Sequence, residues 1–180
     1  MIDIMFYVPI YHVAVNDWNR KKEILLSFID HNKLIKPADS NRDEHITTDY
    51  HNTDNNKIHL IENTLKVDLD EFAKAADTKT SIHSYWFEKA DIHEYHPSHN
   101  HGMGLYSAVL YLEYDKDLHT PVEFISPFLN LVNGKHLHYI PQDVQEGSLL
   151  VFPSAINHFT HPNKSLKPRT VLAFNLNIHE

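Results

Sequence analysis

The apolar positions along the chain change their period near residue 80. Before it, two stretches repeat at helical spacing. Ile24, Leu25, Phe28 and Ile29 form one stripe of a helix that should run to about Asn32, with Asn16 or Asp17 as its cap. Leu69, Phe72, Ala73 and Ala76 share a second stripe, and Asp68 with Glu71 three residues later reads as the capping box of that helix. Ahead of both, Met5 to Val15 is aromatic and β-branched and predicts a strand. Between them, residues 37 to 56 are polar and turn-rich and read as a long surface excursion.

After Thr80 the texture is that of strands. Ser81 to Phe87, Leu105 to Tyr114, Pro121 to Ile125, Ser148 to Phe152 and Arg169 to Ile178 are β-compatible runs. Asn133-Gly134, Pro141, Glu146-Gly147, Pro153 and Pro162 separate several of them with turn signals. The last run has two faces. Arg169, Val171, Ala173, Asn175 and Asn177 share one, and Thr170, Leu172, Phe174, Leu176 and Ile178 share the other. The apolar face needs cover, which the early helices can give. The polar one suits a ligand cavity. Helices followed by many short strands predict an α+β chain, mainly β, with a sandwich or barrel core and the N-terminal helices packed on one sheet.

Composition narrows the function. The chain has 180 residues, enough for one domain, with residues 1–80 as support and 81–180 as the β core. The net charge of -8 and the lack of a basic stripe argue against a nucleic-acid partner. No cysteine is present, which excludes thiolate metal sites and a cysteine nucleophile and fits a reducing, cytoplasmic setting. No apolar run reaches the ~18 residues of a membrane span. Histidine is the outlier, at sixteen. Most are scattered, but His93, His96, His99 and His101 cluster.

His99 and His101 stand two apart, a spacing that on extended chain points both imidazoles one way. The same spacing also fits two exposed loop histidines. Gly102 and Gly104 follow, two of only four glycines in the chain. His158 lies beyond the run SLLVFPS, either as a loop histidine or as a third ligand. Arg169 comes eleven residues later on the polar face of the last strand. There it calls for an anionic partner, whether a surface acid at the rim or a ligand carboxylate.

These pieces follow one order: EYHPSHNHG, YSAVLYLEY, EFISPF, EGSLLVFPSAINHFTHP and PRTVLAFN. That order resembles the double-stranded β-helix, or jelly-roll, core of the Fe(II)/2-oxoglutarate-dependent dioxygenases, in their prolyl-hydroxylase-like branch. The resemblance covers roughly Ser81 to Ile178. The YHxxHNHG and FPSxxxHxxxPN runs are similar to short phage-encoded members, which would place the chain in a host cytoplasm. The resemblance implies Fe(II) held by His99, His101 and His158, and 2-oxoglutarate bound by Arg169 and Tyr111, with Ser107 sharing the strand parity of Tyr111. It implies oxidation, usually hydroxylation, of a small-molecule or peptide substrate, with release of succinate and CO2.

The chain departs from the family at position 101, where an Asp or Glu is expected and His101 stands. Glu94, Glu113 and Glu123 are nearby acids without the family spacing, and His96 is a further candidate ligand. Two alternatives therefore stand beside the oxygenase. One is a cupin-like three-His metalloenzyme that does not use 2-oxoglutarate, although positions 104 to 106 are Gly-Leu-Tyr where a cupin has its glutamate. The other is a non-catalytic metal-binding module.

Overall fold

The computed structural model describes residues 7–36, 45–51 and 55–179. Its elements are β1 (Tyr11–Ala14), α1 (Trp18–Leu26), β2 (Thr47–Thr48), α2 (Ile58–Ala75), β3 (Lys79–Ala90), β4 (Leu105–Glu113), β5 (Glu123–Leu129), β6 (His136–Tyr139), β7 (Ser148–Pro153), β8 (Asn157–Phe159) and β9 (Arg169–His179). Six strands form one sheet in the order β1-β7-β4-β9-β3-β2, and β6-β5-β8 form a second. Every pairing between named strands is antiparallel. No helix among the described residues is long and apolar enough to cross a membrane.

The alternation read from the last strand organises the interior. Leu172, Phe174 and Leu176 of β9 lie in one buried cluster with Ile61, Leu65, Leu69 and Phe72 of α2. Leu110 and Leu112 of β4 and Leu149 and Val151 of β7 join the same cluster. A second, smaller cluster forms on the opposite face of the sheet from Tyr111, Phe124, Leu150, Phe152, Ile156 and Val171. A cavity beside this cluster is lined by polar side chains as well as apolar ones, Glu88 of β3 and Arg169 of β9 among them.

The early half differs from the sequence reading in several places. Asp68 does not cap a helix, because α2 begins ten residues earlier, with Lys57 as its N-cap. Asp68 instead points inward, fully buried, and accepts the Asn16 amide at 2.8 Å and the Lys21 ammonium at 2.5 Å. The capping pattern was mimicked by a buried ion pair. α1 ends at Leu26, and tight turns carry the chain through Phe28 and Ile29. The first strand is shorter than expected, and residues 5 and 6 lie outside the described residues. Within the polar excursion, residues 37–44 and 52–54 are also outside them. The rest is not a plain surface loop. Thr47 and Thr48 pair with Lys89 and Glu88, and buried Asp49 accepts the Phe87 amide at 2.7 Å.

One turn is fixed by contact. Gly147 has φ +84°, and a Cβ there would sit 2.8 Å from the Trp18 ring. Its amide donates to Tyr111 O, so the turn that launches β7 is tied to β4.

Candidate metal and cosubstrate site

The segment from His96 to His101 runs beside β8 and is held to it by backbone bonds. His99 and His158 exchange them reciprocally, at 3.0 and 2.9 Å, and form an isolated antiparallel bridge. His101 N donates to Ser154 O, and Thr160 N donates to His96 O. This pairing, between stretches some sixty residues apart, brings the three histidines together. Their ligand atoms all lie within 4.8 Å of one another. His158 is buried, while His99 and His101 are half-buried.

Hydrogen bonds fix which nitrogen each ring presents. His99 Nδ1 lies 2.8 Å from Pro97 O and His158 Nδ1 2.9 Å from Ile156 O. His101 Nδ1 lies 2.9 Å from Asn175 Oδ1. Each acceptor oxygen requires a proton on Nδ1, so the unshared pair sits on Nε2 in all three rings. Burial lowers all three imidazoles, reinforced in His158 and His99 by neighbouring rings, which takes His158 to about 3 and His99 to about 4. All three are neutral near pH 7 and ready to ligate. Three imidazole nitrogens with tied outer N–H groups match the donor set of an iron, zinc or copper site.

Arg169 lines the same cavity and is only 5 % exposed. Its guanidinium donates to Thr120 O at 2.8 Å and, longer, to His161 O at 3.4 Å. Among the described residues no carboxylate lies within ion-pair distance of it. Burial lowers its pKa, yet a guanidinium remains a cation in any protein setting. Tyr111 lines the cavity beside it, 1 % exposed. Its hydroxyl accepts the Val122 amide at 3.0 Å, which leaves its own proton to donate. Burial pushes that hydroxyl up, so it stays protonated. Ser107 also faces the cavity, but its hydroxyl is engaged: it donates to Asn175 Oδ1 at 2.8 Å and lies 2.9 Å from Ser154 Oγ.

The acids named from the sequence are elsewhere. Glu94 pairs with Lys36 at 2.9 Å, Glu113 accepts Thr170 Oγ1, and Glu123 is held between His138 and His161. His96 stacks on His99 at 3.9 Å, with its Nδ1 directed at Glu88, and is not among the converging ligand atoms. Glu88 was missed. It lies on β3 and lines both the inner cavity and a wider outer cleft of about 730 Å³. Trp86, His96, His99 and His101 are the other walls that the two spaces share.

A sequence profile of the family described as "Putative 2OG-Fe(II) oxygenase" matches residues 84–175. No curated protein sequence matches the chain. Solved structures do. The viral collagen prolyl hydroxylase of Paramecium bursaria Chlorella virus-1, solved with 2OG, superposes with a TM-score of 0.58 at 11% identity, covering 95% of this chain and 96% of that one. A prolyl-4-hydroxylase from Pseudomonas putida gives 0.55 at 14% identity, covering 94% and 92%. A 2OG-Fe(II) oxygenase family oxidoreductase from Burkholderia pseudomallei gives 0.51 at 16% identity over 67% of this chain. The chain spans 58% of the length of that last protein. At such identities the likeness is one of fold.

Proposed function

Because this chain belongs to the 2OG-Fe(II) oxygenase family, we propose that it is an Fe(II)- and 2-oxoglutarate-dependent dioxygenase that hydroxylates a small-molecule or peptide substrate. We read the two sheets as the halves of a double-stranded β-helix within a single domain, with the helices covering the outer face of the larger sheet. Arg169 supports this reading most strongly. It is a buried cation, without a carboxylate partner among the described residues, and it shares a cavity with three converging neutral imidazoles. A buried charge left unpaired is costly, so the site is built for an anion.

His99, His101 and His158 would hold the iron. Once bound, the metal supplies the oxygen activation that couples decarboxylation of 2-oxoglutarate to oxidation of the substrate. Arg169 would grip the far carboxylate of 2-oxoglutarate through its unused N–H groups, and Tyr111 would donate its hydroxyl proton to the same carboxylate. Ser107 supports the site indirectly by steadying Asn175, which orients His101. The inner cavity that Arg169 shares with the histidines is narrow, about 30 Å³, so entry of the diacid requires the surrounding side chains to give. The outer cleft, which shares the histidine wall, is the approach for the substrate.

The three-His set favours a second reading, a cupin-like metalloenzyme that makes no use of 2-oxoglutarate. A single turnover separates the two. Protein loaded anaerobically with Fe(II) and one equivalent of 2-oxoglutarate, then exposed to oxygen, is expected to yield succinate. Recovery of intact 2-oxoglutarate from the iron-loaded protein would support the second reading and overturn the first.

A further inference from the structure

With His101 in place of an acid, the ligand set is three neutral rings facing a dication. The family site carries one negative charge more. Among the described residues, Glu88 is the one carboxylate that lines either the inner cavity or the outer cleft. Its side chain is 12 % exposed. Two contacts hold it. Trp86 Nε1 donates to Glu88 Oε1 at 2.8 Å, and His96 Nδ1 lies 3.2 Å from the same oxygen.

Both of those partners touch the histidine group. The His96 ring stacks on His99 with centroids 3.9 Å apart, and the Trp86 ring lies 5.2 Å from that of His101. Glu88 itself is not among the converging ligand atoms. Burial works against its charge, but His96 and the Trp86 N–H outweigh it and hold the carboxyl well below the usual carboxylate range, and the same contact raises His96.

We propose that Glu88, from outside the coordination sphere, supplies the negative charge that residue 101 does not, and thereby sets how tightly this three-histidine site holds a divalent metal. The inference rests on reading the three histidines as a metal centre. Its physical basis is the low local dielectric, in which a fixed anion beside a dication counts for far more than it would in water. Trp86 and His96 both hold Oε1 of the carboxylate beside the site.

The test uses Co(II) as a probe, titrated into the full untagged chain and followed by its visible d–d absorption. Glu88→Gln keeps the shape of the side chain and an acceptor for Trp86 but removes the charge. It is expected to weaken Co(II) binding by about 10- to 100-fold. Glu88→Asp, which keeps the charge, should recover most of that loss. A structural role alone would lower the melting temperature of Glu88→Gln and leave Co(II) affinity intact, and that outcome overturns the proposal. Should Glu88→Gln not fold, the carboxyl carbon resonance of Glu88 in the wild-type chain gives the answer on addition of Zn(II). Movement supports the proposal and a stationary signal overturns it. Failure of the wild-type chain to bind Co(II) would overturn the metal-centre reading as well, whereas equal affinities in wild type and Glu88→Gln would overturn this inference alone.

Discussion

On β9, Leu172, Phe174 and Leu176 point into the cluster shared with α2, while Arg169, Val171 and Ala173 line the inner cavity and Asn175 the outer cleft. The two sides of one strand follow different rules. On the helix side, burial of apolar area does the work, and shape and volume matter most. On the cavity side, hydrogen bonds set the orientation of the polar groups and leave some of their donors and acceptors open. Asn175 Oδ1 receives both His101 and Ser107, and Asn175 Nδ2 donates to Ser84 Oγ. Arg169 has only main-chain carbonyls as partners. The contrast teaches that the helix side stores stability and the cavity side stores binding capacity. A substitution on one side should therefore leave the other property largely untouched.

The strongest way to break that separation is on the cavity side. His158→Ala removes the buried member of the histidine group and is expected to abolish binding of Co(II) or Fe(II), with little change in the melting curve. Metal titration beside thermal unfolding checks both halves. A collapse of stability with it would mean that the histidines are structural. On the helix side, Asp68→Ala strands Lys21, 6 % exposed, without its partner. The expected cost is about 3–5 kcal/mol in chemical denaturation, with metal affinity of the folded fraction unchanged. The finest probe is Asn175→Ala, which frees the His101 ring to turn. Metal affinity should fall by about 10- to 100-fold while the unfolding midpoint moves little. An equal loss in both measurements would blur the two faces.

Much of the β half was legible in the sequence because its signals are local. The two faces of β9 follow from parity alone, and the runs at Leu105, Ser148 and Arg169 start β4, β7 and β9. β6 and β8 were not read, being four and three residues long with no alternation to show. The histidine group was proposed from motif order. The bonds that assemble it, between His99 and His158 and between His101 and Ser154, link stretches whose pairing no local pattern encodes. Asp68 misled because an acid three residues before Glu71 has the same spacing whether it caps a helix or is buried against a lysine. Glu88 was missed by one residue. The third strand was expected to end at Phe87, whereas β3 runs on to Ala90, and Glu88 shares the parity of Trp86 on the cavity side.

Anaerobic addition of Fe(II) and then 2-oxoglutarate to the purified chain should produce the visible charge-transfer band of the chelate. Arg169→Ala should require ~30-fold or more additional 2-oxoglutarate to reach the same band. A wild-type chain that binds Fe(II) but gives no band, or an Arg169→Ala chain with unchanged 2-oxoglutarate affinity, would contradict the assignment of Arg169 and with it the 2-oxoglutarate-dependent reading.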